Sequence, residues 1–140
     1  MRRLELSGSG VYLPSARVSS LKLDKENDLK EGTIEKKTGV AYRHYATTET
    51  ASRMAVEALN RALDSANLTS NHIDCLIAAS GTMEQAIPCN AAKILAGLNL
   101  QEAITGFDIN ATCLSALVAL DVASSLLDSG QYQRDLPPII

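Results

Sequence analysis

Apolar residues recur at helical spacing most clearly over residues 48–67, where Ala51, Met54, Ala55, Ala58, Leu59, Ala62, Leu63 and Ala66 share one face. The pattern predicts an amphipathic helix with Thr48 as N-cap, Glu49 in the first turn, Met54 in the core and Asn67 as a left-handed stop. Residues 73–80 (Ile-Asp-Cys-Leu-Ile-Ala-Ala-Ser) are short and almost continuously apolar, as expected of a buried parallel strand in which Cys75 is a small core residue. Residues 81–88 read as a loop at the carboxyl end of that strand. Residues 89–96 read as a second short helix closed by Gly97, and residues 104–109 as another strand. The segment 107–130 then runs from strand through a tight turn, Asn110-Ala111-Thr112-Cys113, into a helix whose first turn carries Cys113. Leu114, Leu117, Val118, Leu120, Val122, Leu126 and Leu127, with interspersed Ala, cover nearly the whole circumference of that helix. They leave only a narrow polar stripe of Asp121, Ser124, Ser125 and Asp128. A helix of this composition is expected to be covered on most sides.

The first third is less regular. Residues 4–6 read as a short strand followed by a glycine turn, Gly8-x-Gly10. A dinucleotide fingerprint would need its third glycine at Leu13, and Pro14 stands where the helix should begin, so a nucleotide site is not expected. Residues 17–45 are charged and weakly periodic. Residues 22–31 suit a short solvated helix, Thr38-Gly39 a turn, and Lys36, Lys37, Arg43 and His44 a solvated surface. Strand, crossover helix, strand, helix, strand, helix is the order of an α/β protein with a mostly parallel sheet and helices on its faces. Ligands of such sheets bind beyond the carboxyl ends of the strands, where the 81–88 loop and Cys113 both fall.

Composition narrows the function. The 140 residues suit one domain, 1–134, with an irregular tail at 135–140 in which Pro137 and Pro138 remove two ladder donors. That tail reads as the end of a truncated or interrupted chain. Hydrophobic residues at 46% and charged residues at 21% are ordinary for a soluble protein, and a net charge of −3 without a basic run argues against nucleic acid. No apolar stretch reaches the ~18 residues of a membrane span, and the N-terminus lacks a secretory signal, which points to the cytoplasm and to no membrane partner. Three cysteines without a C-x-x-C pair give neither a disulfide framework nor a Cys-rich zinc site, and no metal is expected. A thiol at a strand-to-helix turn is instead the arrangement of a nucleophile, since the helix N-terminus favours the thiolate by roughly 0.3–2 kcal/mol. His72, in a polar turn, and His44, in an apparent loop, are not cast as its base. No residue at motif spacing supports a redox or hydrolase reading.

The ordered set Gly8-Ser9-Gly10-Val11-Tyr12-Leu13-Pro14, Lys37-Thr38-Gly39-Val40, Glu49-Thr50-Ala51-Ser52, Ile73-Asp74-Cys75-Leu76-Ile77, Ile87-Pro88 and Phe107-Asp108-Ile109-Asn110-Ala111-Thr112-Cys113 resembles the N-terminal half of β-ketoacyl-(acyl-carrier-protein) synthase III and its thiolase-superfamily relatives. The resemblance implies one half of a five-layer αβαβα fold. Cys113 would accept an acyl group as a thioester, and decarboxylated malonyl on acyl carrier protein would attack it, in fatty acid or polyketide synthesis. Ile87 matches a side chain that enters the partner's acyl pocket across a homodimer, and Lys37 a contact to the coenzyme A phosphates. Thr33 stands where the family often stacks a Trp on adenine. No resident cofactor is implied, acyl-CoA or acyl carrier protein thioester being the substrate. The family's catalytic His and Asn belong to a second half that these residues do not match. The chain by itself is therefore expected to be inactive, its partners being acyl-CoA, acyl carrier protein and a second copy or a complementary half-chain. A non-catalytic fragment or scaffold subunit of a condensing-enzyme complex is the alternative.

Overall fold

The structure is a computed structural model that describes residues 4–98, 100–130 and 132. Its internal contacts divide into two compact units, one formed by residues 13–50 and the other by the residues before and after them. The tail expected to be irregular, 135–140, lies outside the described residues.

The 13–50 unit contains β1 (Ala16–Ser19), α1 (Ser20–Glu26), α2 (Thr33–Thr38) and β2 (Tyr42–Tyr45). β1 and β2 pair antiparallel, with Arg17 opposite His44 and Val18 opposite Arg43. Charge hides these strands in the sequence. The Arg17 guanidinium lies 3.8 Å from the Tyr42 ring centroid, while Arg43 bonds to the hydroxyls of Ser20 (2.8 Å) and Thr38 (3.0 Å). Arg43 is thus an internal strut where a solvated surface was expected, and His44 is a strand residue where a loop was expected. The helix expected at 22–31 starts earlier and stops at Glu26. Within it, Asp24, 1% exposed, accepts the N–H groups of Gly32 (2.8 Å) and Ile34 (3.0 Å). Gly32 is the N-cap of α2 and has no side chain to offer, so a carboxylate from α1 caps α2.

Near the end of this unit the Glu49 carboxylate accepts the N–H groups of Thr47 (3.0 Å) and Thr48 (3.2 Å), and these donors lower its pKa from 4.5 to about 2. The following helix begins only at Ala51, so Thr48 is not its N-cap, and the Thr48 N–H is held by the Glu49 side chain. A carboxylate whose pKa falls on folding adds stability that is present above pH 4.5 and lost as pH drops through 2. Acid titration of unfolding midpoints checks this: Glu49→Gln is expected to flatten the pH dependence between those values.

In the second unit α3 (Ala51–Ala66) ends at Asn67, which takes the left-handed φ of 55° expected of it. A 3₁₀ turn, Ser70–His72, leads to β3 (Cys75–Ala79), followed by α4 (Asn90–Gly97), β4 (Thr105–Ile109), a second 3₁₀ turn (Thr112–Leu114) and α5 (Ser115–Asp128). β3 and β4 are parallel, with Cys75 opposite Thr105 and Ala79 opposite Ile109. Leu76 and Ala78 pack with Ala91 and Ile94 of α4, while Ala62, Leu63, Ile73 and Leu98 form a second cluster. Cys75 is half-buried and burial pushes its thiol pKa up, which suits a packing residue.

Residues 4–6 do not form the expected strand. The N-terminal segment runs over α3 instead, where Ser9 exchanges two bonds with Ser65 Oγ (3.0 and 3.1 Å) and Arg61 donates to the Val11 carbonyl (2.6 Å). Its glycines allow that approach: a Cβ on Gly10 would stand 2.0 Å from the Ala58 carbonyl oxygen, and one on Gly8 2.4 Å from that of Ala62. The Gly-x-Gly is thus a packing device. Gly10→Ala is expected to lower the unfolding free energy by at least about 1–3 kcal/mol in urea titrations, the usual cost of overpacking.

Candidate active site

β3 and β4 end at the same edge of the sheet, and two segments meet beyond it. One is the loop 80–89 and the other the turn 110–114. Ser80 N–H donates to the Ile109 carbonyl (3.1 Å), and a Cβ added to Gly81 would stand 3.4 Å from Thr112 Cα, in ordinary van der Waals contact. The sequence expectation that the loop and Cys113 converge is met at this level.

The turn is held by its own backbone and one hydroxyl. Ser115, 3% exposed, accepts the Ala111 N–H (2.9 Å) and donates to the Thr112 carbonyl (2.7 Å). Asn110 Oδ1 accepts the Thr112 N–H (3.1 Å), and Leu114 N–H donates to the Ala111 carbonyl (3.0 Å). Thr112 is thereby kept at φ 52°, a left-handed conformation that a β-branched residue resists at a cost of about 1–3 kcal/mol. Cys113 follows it and is exposed. It occupies the 3₁₀ turn two residues ahead of α5, not the first turn of that helix, because the Ser115 hydroxyl closes the turn before helical geometry begins. The N-terminus of α5 has no side-chain cap and no acidic residue in its first turn.

α5 turns its small residues inward. Ser115, Ala119, Ala123 and Ser124 are buried, whereas Leu117 is 64% and Leu114 58% exposed. The Ser124 and Ser125 hydroxyls both donate to the Asp121 carbonyl (2.8 and 2.9 Å), so these two serines are satisfied within the helix, while Asp121 and Asp128 are exposed. The covering expected around this helix is absent over Leu114, Leu117 and Val118 among the described residues.

The opposite wall is a polar scaffold that the sequence reading missed. Asp108, inside β4, accepts the N–H groups of Asn90 (2.8 Å) and Ala91 (2.7 Å) and caps α4. Asn90 in turn accepts the Glu84 N–H (3.1 Å) and donates to the Thr82 carbonyl (3.3 Å). Glu84 accepts the Ser52 N–H in the first turn of α3 (2.8 Å) and pairs with Lys93 of α4. The available signal was a carboxylate inside an otherwise apolar strand, which demands buried donors. Met83 and Ile87, the latter 88% exposed, project from this framework.

Thr33, whose hydroxyl donates to the Lys30 carbonyl (2.5 Å), and Lys37, exposed at the end of α2, belong to the 13–50 unit. His72 Nδ1 accepts the Thr69 N–H (3.0 Å) in a capping box before β3, at the end of the strand remote from Cys113. His44 Nδ1 bonds the Pro14 carbonyl (2.6 Å), also in the 13–50 unit. No helix among the described residues is long and apolar enough to cross a membrane.

The profile of the 3-oxoacyl-[acyl-carrier-protein (ACP)] synthase III family matches residues 107–136, the segment of β4, the turn and α5. The β-ketoacyl-[acyl-carrier-protein] synthase III of Neisseria meningitidis serogroup A is 35% identical over 137 residues, 97% of this chain and 43% of that protein. The corresponding protein of Rhodospirillum rubrum is 33% identical over 137 residues, 97% of this chain and 42% of that one. Among solved structures, 3-oxoacyl-[acyl-carrier-protein] synthase III from Aquifex aeolicus superposes with a TM-score of 0.82 at 34% identity, covering 92% of this chain and 42% of that one. OleA from Xanthomonas campestris shares the fold at 20% identity, with a TM-score of 0.80 over 93% of this chain and 41% of that one. The architecture is that of one half of a thiolase-like fold. Within that class the chain is similar to β-ketoacyl-[acyl-carrier-protein] synthase III and corresponds to the N-terminal half of such a protein. It spans less than half the length of the curated relatives it matches.

The turn itself is open to a stability test. Ser115→Ala leaves the Ala111 N–H without its acceptor and is expected to lower the unfolding free energy by about 1–3 kcal/mol, read from denaturant midpoints.

Proposed function

We propose that the chain is the acyl-accepting half of a β-ketoacyl-acyl carrier protein synthase III-like condensing enzyme acting in the cytoplasm in fatty acid or polyketide synthesis. The observation that carries this reading is the exposed Cys113, presented by a strained turn at the carboxyl end of a parallel strand pair in the segment the family profile matches. Its thiolate would attack the carbonyl of an acyl thioester, forming an S-acyl bond and releasing the carrier thiol. Decarboxylation of malonyl-acyl carrier protein would then supply the carbanion that attacks the acyl carbonyl. The new carbon–carbon bond forms as the Cys113 sulfur leaves. Lys37 and Thr33 are the proposed contacts to the carrier's nucleotide end. Ile87 is the proposed apolar side chain at the acyl pocket of a second copy or complementary half.

A non-catalytic scaffold role is the second reading, favoured by one observation. Both histidines are engaged in local bonds, His44 with the Pro14 carbonyl inside the 13–50 unit and His72 with Thr69 before β3. The proposed condensation takes its base and oxyanion donors from the family's other half, with the exposed Leu114, Leu117 and Val118 ridge as the surface that meets it.

Intact-mass measurement after incubation with short acyl-CoA or acyl carrier protein thioesters separates the two readings. An acyl adduct that Cys113→Ala abolishes is the expected result. Unmodified protein, with and without an added complementary half, would leave only the scaffold reading. No ketoacyl product is expected from the 140 residues alone.

A further inference from the structure

Between residues 110 and 118 one residue is buried, Ser115, whereas Asn110, Thr112, Cys113 and Leu114 are all exposed. The segment that carries the thiol is therefore anchored to the interior by a serine. Its hydroxyl accepts the Ala111 N–H (2.9 Å) and donates to the Thr112 carbonyl (2.7 Å), which pins the peptide entering Ala111 and the peptide leaving Thr112. The peptide between them is held by other groups: Asn110 Oδ1 takes the Thr112 N–H (3.1 Å), and the Ala111 carbonyl takes the Leu114 N–H (3.0 Å). A serine at a helix start ordinarily turns its oxygen forward to the first N–H groups of the helix. Here the N-cap position is Leu114, no side chain caps α5, and the Ser115 oxygen faces back to a residue four positions earlier.

That backward bond acts on Thr112. A β-branched residue leaves a φ of 52° unless it is held there, and the strain is of the same order as the two hydroxyl bonds that oppose it. Without the hydroxyl, Thr112 keeps Asn110 Oδ1 on its N–H and the Ser115 N–H on its carbonyl, so the turn loosens without opening. Any relaxation about the Thr112 backbone swings the next peptide as a rigid plane, and the residue it carries is Cys113. We propose that Ser115 is a positioning residue: by holding Thr112 left-handed, its hydroxyl fixes the direction in which Cys113 leaves the turn and so sets the rate at which the thiol attacks a bound acyl thioester. The inference rests on the acyl-transfer reading above. In the step concerned, the Cys113 sulfur bonds to the acyl carbon, the carbon–sulfur bond to the carrier breaks, and the proton given up by Cys113 leaves on the carrier thiol. Ser115 does not touch the substrate and acts through Thr112.

Two reactions of the same thiol, acetylation by acetyl-CoA and alkylation by iodoacetamide, are followed at Cys113 by peptide mass spectrometry. The proteins compared are the 140-residue chain, Ser115→Ala, Ser115→Thr and the double variant Thr112→Gly with Ser115→Ala. Both reactions draw on the same thiolate, so their ratio cancels changes in exposure and ionisation, and the half-buried Cys75 reports unfolding in the same digest. Ser115→Ala is expected to lower the acetylation-to-alkylation ratio by roughly tenfold, within the ~100-fold that a displacement of about 1 Å can cost. The double variant is expected to recover most of the ratio, because glycine takes the left-handed φ without a brace. A ratio unchanged in Ser115→Ala, with only a lower melting temperature, would overturn the proposal and leave a structural hydroxyl. A fall that Thr112→Gly does not reverse would overturn it as well, since the effect would not run through Thr112. Should Cys75 react as fast as Cys113 in Ser115→Ala, that variant is unfolded and Ser115→Thr decides: it keeps the hydroxyl, so the proposal requires the unmutated ratio and falls if the ratio drops. Absence of acetylation in the unmutated chain would instead overturn the acyl-transfer reading itself, and this inference with it.

Discussion

A carboxylate within a strand cannot remain without donors, and the unit that carries Cys113 is arranged around the one at Asp108. It sits one residue before the end of β4 and takes two N–H groups from the first turn of α4. That capping pair fixes α4 against the carboxyl edge of the strands, and through Asn90 it fixes the loop as well. Charge-assisted bonds of this kind, part-buried at the sheet edge, are stronger and less forgiving of displacement than surface pairs. The same strand runs on through Asn110 into the strained Thr112. One residue type at one position therefore couples the two segments that meet at the thiol.

Much of this was legible in the sequence, and the boundary falls where local pattern stops being informative. The period of Ala and Leu in α3, the apolar run of β3 and the left-handed stop at Asn67 depend on neighbours a few residues apart, and all three appear as expected. β1 and β2 were hidden because Arg17, Arg43 and His44 occupy strand positions as struts and ring partners, a role that depends on residues more than 20 positions away. The start of α3 was misplaced for a different reason. Glu49, which looks like a first-turn acid, folds back on Thr47 and Thr48, and the charge at the helix start comes from Glu84 instead. Side chains that bond across long sequence separations leave no period to read.

α5 makes the same point about composition. Its apolar circumference correctly suggested a helix built to be enclosed, yet the side placed against the strands is the one with Ser115, Ala119 and Ala123. Small residues buy close approach, and a serine hydroxyl that bonds the carbonyl three or four positions back arrives already satisfied. The bulky Leu117 and Leu114 are left outward. Apolar content predicted that the helix would be covered, but which face lies inward was decided by fit, not by hydrophobicity.

Exposure of Cys113 and exposure of the Leu114–Leu117 ridge have a common origin. The Ser115 hydroxyl that closes the 3₁₀ turn and kinks the chain at Thr112 also sets the rotation of α5 about its axis. With Ser115 inward, Ala119 and Ala123 follow at intervals of four, and residues 114, 117 and 118 necessarily face away. A turn that presents the thiol thus also presents an apolar wall beside it. That wall is costly in water and favourable against an acyl chain or another apolar surface. For a thiol proposed to accept an acyl group, the two exposures are one design: the bond that strains the nucleophile's turn is also the bond that prepares its apolar surroundings.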